Sequence, residues 1–199
     1  MHRKRVLLLS CVFLFMGLAS FGALVWYTRY RLTEVGFRVL PALGTAPDFT
    51  MTDQTGRPFS RADLDGVVWV ADFFFTDCPG PCPTMTKNMA RIRDAAVLGD
   101  LHLVGFSVNP LVDTPEKLTT YARKFRADAA TWHFLTAPEA DVQAVVTAMK
   151  MGMPDEPLIN HSTHFALVDR QGVIRGYYDG TDSADVDQLI KDLKQLRAD

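Results

Sequence analysis

Cysteine is scarce in this chain, three in 199 residues, and two of the three stand four positions apart. There is no internal repeat and no low-complexity tract, which excludes a repeat array and leaves room for one globular domain of roughly 150 residues and one further piece. Positive charge is thin once the first 40 residues are set aside. From Pro41 onward 15 Lys and Arg stand against 22 Asp and Glu, a net charge of −7, although the whole chain carries only −2. An acidic body of this kind excludes nucleic acid as a natural partner. A long Arg- and Ser-rich amphipathic leader is missing too, which argues against mitochondrial import and for a bacterial inner membrane.

What is present begins with hydrophobicity. After the basic leader of residues 1–5 comes an uncharged stretch, residues 6–28. At about 1.5 Å per helical residue it is long enough to cross a hydrocarbon core of roughly 30 Å. It outruns the 7 to 15 apolar residues typical of a cleaved signal peptide, and it ends in Trp26 and Tyr27, residues suited to a membrane interface. We therefore expect a retained single-pass anchor, with Cys11 inert inside it. Basic residues flank both ends, but the cluster Arg3, Lys4 and Arg5 favours the N-terminus inside and the domain outside, in the periplasm. Residues 29–45 read as a juxtamembrane tether and residues 46–199 as the domain.

Within the domain, Pro47 to Thr52 reads as a strand, followed by a turn and a second short strand. Val67 to Phe75 is a nearly continuous apolar run of β-branched and aromatic residues, the pattern of a central strand buried on both faces. A helix is expected from Pro83 to Leu98 and a strand from Leu101 to Val108. Thr114 and Pro115 cap a helix that runs to about Phe125, Trp132 to Leu135 is a short strand, and Asp141 to about Lys150 is helical. Phe165 to Asp169 and Val173 to Tyr178 form a hairpin around Gly172, and Asp185 to Arg197 closes the chain as a helix. Alternating strands and helices, with a two-cysteine turn after the first central strand, indicate an α/β, thioredoxin-like domain: a mixed central sheet flanked by helices.

The turn carries the chemistry. Phe75-Thr76-Asp77-Cys78-Pro79-Gly80-Pro81-Cys82-Pro83 places Cys78 and Cys82 where a strand gives way to a helix, and a helix N-terminus lowers a thiol pKa. Two such thiols either cycle as a redox-active disulfide or hold a soft metal.

Four blocks give the chain a family resemblance: Phe74 to Pro83, Ser107-Val108-Asn109-Pro110-Leu111-Val112-Asp113-Thr114-Pro115, Trp132 to Thr136, and His161-Ser162-Thr163-His164-Phe165-Ala166-Leu167-Val168-Asp169 with Gly172 downstream. In that order, from about Pro47 to the C-terminus, they resemble the Sco/SenC family of copper-binding assembly factors for cytochrome c oxidase. The resemblance implies a copper site of Cys78, Cys82 and one distant histidine. The family's ligand precedes Ser or Thr, eleven residues ahead of the hairpin glycine, and that position here is His161. His164, three residues on, points to the opposite face of an extended chain. His2, His102 and His133 read as structural or solvated.

Two thiolates and an imidazole make a soft three-ligand set suited to copper, as Cu(I) or Cu(II), whereas structural zinc usually wants four ligands. The resemblance further implies delivery to the copper-containing subunit of the oxidase, with other periplasmic copper chaperones or thiol–disulfide reductants as further partners. The chain reads as a metallochaperone and not as an enzyme in the ordinary sense. The rival reading is a thiol–disulfide reductase that keeps the oxidase's copper-site cysteines reduced. Against a general reductase stand the extra residue between the cysteines and the lack of a proline before Phe165.

Smaller features have two readings each. Met149, Met151 and Met153 alternate near the histidine, as transient copper ligands or as core filling. Asp77 and Asp113 either tune a thiolate or hold turns.

Overall fold

The computed structural model describes residues 16–27, 39–95, 101–151 and 163–198. Two compact units divide the chain, Met1–Val39 and Leu40–Asp199. In the first, residues 16–27 are a helix (α1) whose described side chains are exposed, among them Phe21, Leu24 and Trp26. No helix among the described residues is long and apolar enough to cross a membrane. Residues 6–15 and residue 28 of the expected anchor lie outside the described residues.

The second unit is built on β4 (Val68–Phe74), every residue of which is buried. A strand with both faces covered has no solvent side to carry polar residues, hence its continuous apolar pattern. Beside it lie β5 (Leu101–Ser107) and then β6 (Trp132–Thr136), all three parallel. On the other side β7 (His164–Val168) runs antiparallel to β4 and forms a hairpin with β8 (Val173–Asp179). The turn residue Gly172 sits at φ +77°, in the left-handed region that glycine enters without strain. Short edge strands finish the sheet: β1 (Gly44–Thr45) on β8, and β2 (Thr50–Asp53) with β3 (Pro58–Ser60) beyond β6. The order is β1-β8-β7-β4-β5-β6-β2-β3. Gly44 and Thr45 fall at the end of the stretch expected to be a tether, and here they are paired backbone.

Side chains alternate across β4, so the strand feeds two cores. On one face Val70 and Phe74 pack with α2 (Cys82–Ala95), α3 (Pro115–Lys124) and α5 (Ser183–Ala198) through Met85, Met89, Tyr121 and Leu189. On the other, Trp69 and Phe73 pack with α4 (Glu139–Ala148) through Val142 and Val145, and with Leu64 of a short 3-10 turn, Arg61–Leu64. The mixed sheet with helices on both faces is the thioredoxin-like α/β arrangement the sequence indicates. The start of α3 is as expected, with the Thr114 hydroxyl accepting from the Lys117 backbone N–H and Pro115 in the first turn.

Candidate metal centre

Parallel pairing of β4 and β5 in register, Val68 against Leu101 through Phe74 against Ser107, brings the loops that follow them to one end of the sheet. Val108 N–H donates to the Phe74 carbonyl at 2.9 Å, carrying the pairing one step beyond the strands. The first of these loops, residues 75–81, holds Cys78; the helix it feeds, α2, opens on Cys82. Both cysteines are free thiols, Cys78 half-buried and Cys82 fully buried. Their side chains are hydrogen-bonded to each other.

Burial decides the state of Cys82. Desolvation pushes its thiol up to about 12, the hydrogen bond to Cys78 adds to the rise, and the Phe75 backbone pulls the other way. The expectation that the helix N-terminus lowers the thiol pKa is reversed at this residue. A helix end favours negative charge by about 1 kcal/mol, whereas removing a charge from water costs several. The core therefore favours the neutral thiol at Cys82, and a thiolate there needs something to neutralise it. A soft cation held by both sulfurs does this, because the metal stabilises the thiolate that the core disfavours.

Beneath the pair lies a residue that the sequence reading passed over. Asp72 sits mid-strand in β4, is 3% exposed, and shares the face of Val70 and Phe74, the side on which Cys82 packs. Its Oδ1 has no hydrogen-bond partner among the described residues. Burial pushes the carboxyl up to about 7. When it ionises, its charge opposes both a Cys82 thiolate and ionisation of Tyr121. Tyr121 itself joins α3 to the cysteine helix, its hydroxyl sharing a 2.7 Å hydrogen bond with Thr86, which donates to the Cys82 carbonyl at 2.9 Å. The available signal was one acid inside an apolar run.

The two aspartates flanking the turn hold loops. Asp113, 1% exposed, accepts from the Ser107 hydroxyl at 2.6 Å and from both the backbone N–H and the hydroxyl of Thr76, at 3.1 and 2.5 Å. Asp77 pairs with the Lys117 ammonium at 2.5 Å. One carboxylate stitches the two loops together and the other ties the cysteine turn to α3.

Of the histidines, His161 lies outside the described residues, as does Met153. His164 opens β7 at the surface, in register with Asp179. His102 and His133 point to the opposite face of the sheet from Cys82, joined Nδ1 to Nε2 at 3.1 Å, with His133 stacked on Phe59. Their role is structural, as expected. Met149 and Met151 are buried in the α4-side core, which favours core filling for these two. Among the described residues no three His, Cys, Asp or Glu are placed to hold a metal ion together. The described donors at the turn are the two sulfurs.

Comparison with known proteins places the chain in a family. The SCO1/SenC family model matches residues 40–198. The SCO1 protein homolog of Bacillus subtilis is 31% identical over 154 residues, which cover 73% of this chain and 79% of the relative. A candidate copper-binding protein of Stutzerimonas stutzeri is 31% identical over 157 residues, 73% of this chain and 74% of its own length. Among solved structures, BsSco, a member of the Sco family of cytochrome c oxidase assembly proteins in which a disulfide switch is identified, superposes with a TM-score of 0.70. It is 28% identical, and the match covers 80% of this chain and 98% of that one. The fold, the position of the cysteine turn and these relationships agree: the chain belongs to the SCO1/SenC family.

Proposed function

We propose that this chain is a membrane-anchored copper metallochaperone that binds copper through Cys78, Cys82 and His161 and delivers it to the copper-containing subunit of cytochrome c oxidase. The observation that carries the reading is the pair of free, hydrogen-bonded thiols at the head of α2, with Cys82 in a dry core. Copper is the cargo. Cu(I) accepts a three-ligand site of two thiolates and an imidazole, and the two sulfurs release their protons as it binds. The description of the Stutzerimonas relative as a candidate copper-binding protein supports the cargo, and the membership of BsSco in a family of cytochrome c oxidase assembly proteins supports the destination.

The chain is held in the bacterial inner membrane by residues 6–28, with residues 29–45 as the connection and residues 46–199 as the copper-binding domain in the periplasm. Support comes from the length of the uncharged stretch and from the helix that residues 16–27 form. Periplasmic copper chaperones and thiol reductants are the partners that load the site and keep it reduced.

Copper analysis and thiol titration of the full chain in detergent, reduced and oxidised, test the proposal. One equivalent of copper in the reduced protein is expected, with none in the oxidised protein and a loss of tight binding in His161→Ala. Stoichiometric copper retained by that variant would refute the ligand assignment.

A second reading has its own support. Adjacent free thiols can close to a disulfide, and BsSco carries a disulfide switch. In this reading the chain reduces the oxidase's copper-site cysteines, and its exchange rate survives His161→Ala.

A further inference from the structure

The loop after β5 presents two adjacent apolar side chains to water beside the cysteine turn. Leu111 is 88% exposed and Val112 40%. Single exposed hydrophobes are ordinary on protein surfaces, so their exposure alone signifies little. Three further observations set this pair apart.

First, the loop is held rigidly in the conformation that exposes them. The backbone N–H groups of Val112 and Asp113 donate to the Asn109 carbonyl at 3.0 Å, and Asn109 N–H donates to the Ser107 hydroxyl. Buried Asp113 clamps the loop from below through Ser107 and Thr76. Leu111 therefore cannot fold back without breaking a buried, charge-assisted network.

Second, that clamp ends on Thr76, two residues before Cys78. The loop that carries the apolar tip and the cysteine turn are consequently joined at their bases, and Pro79, Gly80 and Pro81 of the turn are exposed as well. Third, this surface is uncharged in an acidic domain. Residues 78–83 and 109–112 carry no ionisable group except the two thiols, and the flanking Asp77 and Lys117 neutralise each other.

We propose that Leu111 and Val112 form the docking lip for a protein that presents a thiol pair to Cys78 and Cys82. The inference rests on the transfer role proposed above and adds the surface through which it works. The occupant follows from access. Cys82 is closed to solvent and Cys78 is half-buried, so a partner sulfur has to approach over the exposed turn, to which the Leu111 loop is stitched. Transfer of Cu(I) then exchanges ligands. The two sulfur–copper bonds and the His161 imidazole–copper bond to this chain break as two sulfur–copper bonds form to the partner. The partner's thiol protons pass to Cys78 and Cys82, the imidazole is released neutral, and no electron moves. Covering apolar side chains excludes water from that exchange and contributes through burial instead of charge.

The test uses the full chain in detergent as wild type and as the double variant Leu111→Lys, Val112→Lys, with two acceptors. One is the separately produced copper-centre domain of an oxidase subunit; the other is the small copper chelator bathocuproine disulfonate. We expect transfer to the protein acceptor to slow about tenfold or more in the variant, the loss typical of removing a contact residue at an interface centre. Transfer to the chelator should keep the wild-type rate. Equal rates to the protein acceptor overturn the proposal, and so does an equal slowing to both acceptors, which would place the effect inside the site. Disulfide exchange of the oxidised chain with the same domain and with dithiothreitol reads the docking without metal. A wild-type chain that binds no copper but loses exchange with the domain in the variant would therefore sink the chaperone reading and keep the lip.

Discussion

The Asp72 carboxylate stands in the space that Gly105 leaves open on the neighbouring strand. A Cβ at position 105 would lie 3.0 Å from Asp72 Oδ1 and 2.9 Å from Phe74 Cε1. The missing side chain on β5 is what lets an acid sit mid-sheet under the cysteines.

Gly105→Ala should consequently destabilise the domain, by about 1 to 3 kcal/mol, the range for overpacking a filled core. Denaturant unfolding followed by circular dichroism measures it. An unchanged midpoint would show that the contact relaxes freely.

Asp72 also sets a pH dependence. Its carboxyl is pushed up to about 7 by burial, against 3.8 in the unfolded chain, so between these values the folded state binds the extra proton. The Asp72 contribution to stability is full below pH 4, falls as pH rises towards 7, and levels off above. Asp72→Asn should remove that slope and leave the variant more stable at pH 8, by on the order of 4 kcal/mol at most. Urea midpoints at pH 5 and pH 8 decide; an unaltered slope in the variant would assign it to another group.

His133 works in the other direction. Burial, reinforced by neighbouring His102 and Arg57 and opposed by Asp53 and Asp63, lowers its pKa from 6.5 to about 4. The unfolded chain takes up the proton first, so stability is lost as pH falls from about 6.5 to 4, by roughly 3 kcal/mol. Replacing it in His133→Phe should remove that loss and leave the opposing Asp72 slope, so that stability at pH 4.5 rises relative to pH 6.5 when compared with the parent chain, measured by thermal unfolding at the two values. Retention of the full loss would exclude the histidine.

The two thiols should differ in reactivity. With Cys82 buried and pushed up to about 12, iodoacetamide at pH 8 should modify Cys78 in the folded, reduced domain and leave Cys82 untouched until the protein unfolds. Peptide mass spectrometry reads both sites. Rapid labelling of Cys82 would mean that the head of α2 opens readily.

Much of this architecture was legible because its signals are local. The buried run of β4, the Thr114-Pro115 start of α3 and the glycine turn of the β7–β8 hairpin each declare themselves within ten residues, and the cysteine turn is placed by the strand before it. What could not be read depends on contacts distant in sequence. Asp72 hides among apolar neighbours, and its meaning needs Gly105, 33 positions on. The His102–His133 pair appears only once β5 and β6 are known to be neighbours, and the depth of Cys82 only once Phe74, Met85 and α5 enclose it. Two-residue β1 has no periodicity to read. His161 and residues 6–15 and 28 of the expected anchor lie outside the described residues, and their roles rest on the proposal.

The two cysteines are mounted differently, and this gives the pair a mechanical asymmetry. Cys82 begins a fourteen-residue helix that is tied to the C-terminal part of the domain by Asn88 on the Gly180 carbonyl and by the Arg91–Asp187 ion pair. It is the stationary jaw of a vice. Cys78 belongs to the loop, and between dithiol, disulfide and metal-bound forms the travel falls on residues 76–81, so structural comparison of those forms should find the displacement there and the helix unmoved.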